Sequence, residues 1–231
     1  MKKKLLFFSF FLILFSAKAQ NAGEEAGTAK IKKNAISLNL GFPGIGLGYA
    51  RSISDHFSAR FKVSFMEQSI DKNEIVLSDR EVNANGDYKA NTYDLWMDYI
   101  PFKSSSFKLV GGLTYLAKFK ASAVLTPSGS FQYGDIVLSE DQIGDIQTSA
   151  DWSGKLVPYL GLGFGRAIPK HNFGIGIEFG GYFIGEPDFS YDGSKMLAPN
   201  TQKEEESHEI EDWVDQFKVM GNIAVHLSYK F

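Results

Sequence analysis

The chemistry available to this chain of 231 residues is sparse and unevenly placed. It has four histidines and no cysteine, so a thiol nucleophile and a disulfide framework are both excluded. His208 directly follows Ser207, which supplies the base and hydroxyl types that nucleophilic catalysis uses. Adjacent residues of a helix do not face each other, so the pair does not act together and no catalytic residue is assigned. Gly161-x-Gly163-x-Gly165 has the look of a phosphate-cradling loop. It falls in the middle of a strand pattern with no helix behind it, so that reading fails. The sequence points to no cofactor.

Two sets of charges remain. Arg60, Lys62, Lys118 and Lys120, and with them Asp94, Asp98, Glu178 and His226, each alternate with apolar residues. If all eight face one narrow interior they must pair, because an unpaired buried charge is very costly. Their expected role is a structural polar network. The second set is acidic. Segment 71–89 has five acids and three bases, 123–152 has five acids and no base, and 186–215 has ten acids and two bases. Beyond residue 19 the chain holds 20 basic and 27 acidic residues, a net −7 that argues against nucleic acid as a partner. Acidic loops repel other anions; they could also bridge through divalent cations to anionic glycolipid, or capture a basic ligand. Oxygen ligands suit Ca²⁺ or Mg²⁺, but no ligand-loop spacing is present and no metal site is assigned.

The elements that must carry these charges start after the N-terminus. Met1-Lys2-Lys3-Lys4, an apolar run of about a dozen residues, and Ala17-Lys18-Ala19 before Gln20 form a secretory signal peptide, expected over 1–19. The run is too short to span a membrane as a helix, and no later stretch is long and apolar enough. Residues 20–33 are expected to be a flexible periplasmic segment and 34–231 one domain. Such a chain is either a soluble periplasmic protein or a closed barrel, since lipid admits only helices and closed barrels.

The last strand favours the barrel. Phe217, Val219, Gly221, Ile223, Val225, Leu227, Tyr229 and Phe231 alternate with Lys218, Met220, Asn222, Ala224, His226, Ser228 and Lys230. One face is apolar over fifteen residues, longer than the strands of soluble sandwiches. Tyr229 and Phe231 resemble the terminal signal by which outer-membrane barrels are recognised, which implies the barrel-assembly machinery as a partner during insertion. Similar alternation runs through Phe57–Phe65, Tyr93–Tyr99, Phe107–Lys120, Leu160–Gly165, Phe173–Phe179 and Ile45–Ala50. In Phe107–Lys120, Phe119 is expected outward and Lys108, Thr114, Lys118 and Lys120 inward. Short connections (Ser54–His56, Lys103–Ser106, Pro169–Asn172) alternate with the long acidic ones, as periplasmic turns alternate with outer loops. Asn34–Leu40 completes the parity.

The expected fold is therefore all-β, an eight-stranded antiparallel transmembrane β-barrel with both termini periplasmic. Residues 131–138 leave a ten-stranded count open. In the last outer loop, Thr201 and Glu204 form a capping box, and Ile210, Trp213, Val214 and Phe217 recur as the stripe of one short amphipathic helix.

Pro158–Gly165, Phe173–Gly181, Tyr99-Ile100-Pro101-Phe102, Asp55-His56-Phe57 and the acids at Glu211-Asp212-Trp213 resemble a family of uncharacterised small barrels of Gram-negative outer membranes. The resemblance covers about residues 34–231. It implies an architecture like the eight-stranded transmembrane domain of outer membrane protein A, and carries over no site residue. The expected function is non-enzymatic: envelope integrity or cell-surface binding through acidic outer loops, in contact with outer-membrane lipid and glycolipid. The alternatives are a small-solute channel, an outer-leaflet lipid-modifying enzyme and a soluble periplasmic β-protein.

Overall fold

Alternation along the chain becomes a closed wall in the computed structural model. The chain divides into two units, 1–31 and Lys32–Phe231. The structure describes residues 33–77, 80–128, 131–133, 136–138, 143–196 and 218–231 of the second unit. The signal-peptide reading, the segment 20–32 and the expected helix over 201–217 lie outside the described residues.

Twelve strands are described: β1 (Asn34–Gly41), β2 (Ile45–Ser52), β3 (Phe57–Leu77), β4 (Arg80–Tyr99), β5 (Phe107–Pro127), β6 (Phe131–Tyr133), β7 (Ile136–Leu138), β8 (Ile146–Asp151), β9 (Lys155–Phe164), β10 (Phe173–Tyr182), β11 (Asp188–Gly193) and β12 (Met220–Lys230). Antiparallel pairing runs β5-β4-β3-β2-β1-β12-β10-β9, and β9 returns to β5. That order closes a ring of eight strands among the described residues. β6 and β7 pair with each other as a separate two-stranded sheet, outside the ring.

β8 and β11 extend the wall. β8 pairs with Lys120–Leu125 of β5, and β9 pairs with Phe107–Leu116 of the same strand. Trp152 N–H donates to the Phe119 carbonyl and Gly154 N–H to that of Leu116, so the ladder bridges the break between them. β11 stands on β8 as β10 stands on β9. The wall is therefore tall along β3, β4, β5, β8–β9 and β10–β11, and low along β12, β1 and β2. We call the tall margin the crown end and the margin carrying the short 53–56, 100–106 and 165–172 connections the turn end.

Register sets which face each residue takes. Outward rows are apolar: Phe61 opposes Leu95, Leu95 opposes Leu113, and Leu38 lies between Leu47 and Leu227. At the turn end the outward face carries aromatic pairs, Phe57–Tyr99 at 5.0 Å, Phe107–Phe164 at 5.5 Å and Phe173–Tyr229 at 4.9 Å between centroids. Inward rows are polar or small below the crown end: Ser58 and Ser228 are buried near the turn end, and Asn39 and Ser64 further up. Towards the crown end the interior turns aromatic. Phe119, Trp152, Tyr182 and Ile184 are buried, with Phe42 and Tyr88 packed on them. Tyr88 meets Phe119 edge-on at 5.8 Å, and Phe119 meets Trp152 edge-on at 6.1 Å. This aromatic layer caps the polar interior.

Candidate functional site

The interior is built by strands whose inward positions carry charge. β3 contributes Arg60 and Lys62, β4 Asp94 and Asp98, β5 Lys108, and β10 Glu178, all buried. Lys62 and Asp94 are direct cross-strand partners, and their ion pair measures 3.1 Å. Arg60 donates from Nε to Asp98 Oδ1 at 2.8 Å and from Nη2 to Glu178 Oε2 at 2.7 Å. Lys108 Nζ lies 3.2 Å from Asp98 and 3.1 Å from Glu178. Three cations therefore meet three carboxylates, and the network is formally neutral. Buried ion pairs are tolerated when their charges balance and their remaining lone pairs are hydrogen-bonded.

The neutral groups supply those bonds. Tyr159 donates to Glu178 Oε1 at 3.1 Å and accepts from Asn222 Nδ2 at 2.6 Å. Thr114 donates to Asp94 Oδ1 at 2.8 Å and accepts from the Trp96 indole at 3.1 Å. The Trp96 ring stacks on Tyr159 at 4.0 Å and 8°. Lys62 Nζ lies 4.2 Å from the same ring centre, and Arg60 Cζ 5.2 Å, within cation–π range. Glycines open the space: a Cβ on Gly163 would meet Lys108 Cε at 3.1 Å, and one on Gly180 would meet the Tyr159 hydroxyl.

The sequence reading of this interior needs one correction. Arg60, Lys62, Asp94, Asp98, Glu178 and His226 are buried inside the ring. Lys118 and Lys120 are exposed on the outward face, and Phe119 is buried inside. The cause is a β-bulge in β5. Register runs from Thr92↔Leu116 to Asn91↔Lys118, so Ala117 has no partner and every later residue changes face. Lys108, also expected inward, is buried there and supplies the third cation of the network. Alternation places Asn222 inward but does not single it out as a partner of the network, and it passes over Tyr159, although Tyr159 shares the parity of Gly161 and Gly163.

His226 opposes Asn39 and Gly176 nearer the turn end, and makes no ion pair among the described residues. His56 lies at the turn end, with Nδ1 2.7 Å from the Ile100 carbonyl, and His171 is exposed there. His208 and Ser207 lie outside the described residues, as do all the acids of 204–215 and Asp135, Glu140 and Asp141. Tyr229 and Phe231 are both on the exposed outward face.

The interior can immobilise charge and fill space. Its cations and carboxylates are already committed to one another, and it offers no exposed nucleophile–base pair among the described residues.

No protein-family model matches the chain, and no curated protein sequence does. Among solved structures it is similar to CarO2 of Acinetobacter baumannii, at 15% identity and TM-score 0.62, covering 88% of this chain and 100% of that one. It is also similar to CarO of Acinetobacter baumannii, at 18% identity and TM-score 0.61, covering 89% and 100%. At these identities the likeness is one of fold, and the described strands have the antiparallel all-β architecture of those two proteins.

Proposed function

We propose that this chain is a non-enzymatic outer-membrane protein. Its eight-stranded barrel is plugged by its own side chains, and it contributes to envelope integrity or cell-surface binding through acidic outer loops. One observation carries the reading. The outward face is apolar around the whole ring while the interior is charged, the inverse of a soluble protein and the pattern of a lipid-facing barrel. On β3 the apolar outward face runs from Phe57 to Phe65. At about 3.3 Å per residue and a tilt of about 40°, the backbone between them rises about 20 Å, and the two end side chains bring the band close to the ~25 Å of such barrels. In this reading the turn end and both termini are periplasmic, and the crown end is outside. Outer-membrane lipid and glycolipid surround the band, and divalent cations serve as counter-ions for the loops. The likeness to a family of small Gram-negative barrels is part of the same proposal.

The test is gel mobility of protein from the outer-membrane fraction, unboiled against boiled. A compact band that shifts on heating is expected, because closed barrels resist SDS until heated. Recovery in the soluble periplasmic fraction with no shift would overturn the reading.

The charged interior also favours a second reading, a small-solute channel. Planar-bilayer recording separates the two: a plugged barrel shows no discrete conductance steps, a channel does.

A further inference from the structure

We propose that Lys89, Lys118 and Lys120 form a phosphate-binding site for the headgroup of an outer-leaflet glycolipid. The proposal rests on the outer-membrane reading, and the bulge in β5 creates the site. Because Ala117 is unpartnered, Lys118 and Lys120 turn outward instead of into the barrel. Lys120 then faces Lys89 directly across β4–β5, and Lys118 lies two residues along β5 on the same face. Like charges opposite one another are destabilising in a sheet unless something neutralises them.

Each acid around the three lysines has its own partner, and among the described residues only Glu67 is in an ion pair. Glu67 pairs with Lys89 at 2.6 Å. Asp87 accepts the Ser69 hydroxyl at 2.5 Å. Asp151, across from Lys120, accepts the backbone N–H of Ser153 at 2.8 Å. Among the described residues, Lys118 and Lys120 make no ion pair within 4 Å. Two cations thus lie side by side on an exposed face, near Glu67 and Asp151 but ion-paired to neither.

Their height names the ligand. Tyr93 and Tyr115 are cross-strand partners that stack at 6.5 Å on the outward face, and Lys118 follows one row above them. Below that tyrosine pair the outward residues of β4 and β5 are Leu95, Met97, Leu109 and Leu113, all exposed and apolar. Above it they are Asn91, Lys118, Lys120, Lys89, Asp87 and Ser122. The lysines therefore sit where the apolar band ends, which is the depth of lipid headgroups. Lysine binds phosphate as a mobile point charge and needs no fixed bidentate geometry. A phosphorylated glycolipid places its acyl chains against Tyr93, Leu95 and Leu113 and its phosphate among the three ammonium groups.

The experiment uses the full chain reconstituted in phosphatidylcholine bilayers containing 5% bisphosphorylated lipid A. Lipid retained after detergent extraction is counted by native mass spectrometry. Heat-shifted mobility is checked first, and its absence would count against the outer-membrane reading itself. With the barrel established, K89Q, K118Q and K120Q are each expected to weaken retention by about five-fold, the effect of one basic residue near an anionic surface. K103Q, at the turn end, is expected to leave retention unchanged. Equal retention by the K118Q/K120Q variant, or equal retention of fully dephosphorylated lipid A, would overturn the site. Displacement of the lipid by millimolar inorganic phosphate would overturn it too, since that outcome assigns a free-anion site.

Discussion

Replacing Glu178 by glutamine preserves the side chain's shape and removes one buried charge. Glu178 Oε2 accepts from Arg60 at 2.7 Å and lies 3.1 Å from Lys108 Nζ, while Oε1 accepts from Tyr159. In E178Q the cations Arg60, Lys62 and Lys108 face only Asp94 and Asp98, so the interior carries an uncompensated positive charge. Removing one partner of a buried ion pair costs about 3–5 kcal/mol. The Tyr159 hydroxyl can still donate to the glutamine oxygen, so nearly all of the loss is electrostatic. Equilibrium urea unfolding in phosphatidylcholine vesicles, followed by tryptophan fluorescence, measures it. K120Q on the outward face is the matched control, expected within about 0.5 kcal/mol of the parent. A loss below about 1 kcal/mol for E178Q would refute the reasoning. It would mean that water reaches the network and screens it at a high effective dielectric, and a water-lined path would then be the better description.

Lys108 reports on the same network from the other sign: K108M should also cost about 3–5 kcal/mol, whereas K118Q should fall within about 0.5 kcal/mol in the same assay. G180V places a side chain where the Tyr159 hydroxyl sits and should cost about 1–3 kcal/mol, with loss of the near-ultraviolet dichroism of the Trp96–Tyr159 stack. At the crown end, the Ser194 hydroxyl bonded to Asp145 holds that carboxyl below its ordinary range, with Gln147 helping. A lowered pKa means the contact is fully present above the ordinary carboxylate value of about 3.9 and is lost as pH falls through the folded one. Proteolysis near residues 145 and 194 should therefore be faster in S194A than in the parent at pH 7, and the difference should narrow once the carboxyl is protonated, leaving only the bond from the Asp145 N–H to Ser194 Oγ.

Much of the fold was legible because a strand between two media writes its environment into every second residue. β12 and β1 read correctly for that reason: Ile223, Val225 and Leu227 face out, and Asn222, His226 and Ser228 face in. The same rule failed in β5 because alternation has no memory of an inserted residue. One bulge at Ala117 inverts the parity of everything after it. A signal was nonetheless present. Inward placement of Lys118 and Lys120, with Arg60, Lys62 and Lys108, sets five cations against Asp94, Asp98 and Glu178, a balance no dry interior supports. Tyr159 and Trp96 were harder to find, since their roles depend on stacking between strands distant in sequence. The extension of the wall by β8 and β11 was hidden because those segments read as polar loop, as strands wet on one face do.

The join between β1 and β12 bears on the order in which the barrel assembles. Neighbouring strands such as β3 and β4 meet across a local hairpin, whereas β1 and β12 bring together residues roughly 190 positions apart. Closing so long a loop costs about 3 kcal/mol more chain entropy than closing a hairpin of about five residues. The reward is modest, since seven residue pairs form across this join against nineteen between β3 and β4. Local hairpins therefore form ahead of the join, and an open, curled sheet with two unsatisfied edges comes before the ring. On that reasoning the low side of the wall is the last part of the barrel to close, where the two ends of the domain meet.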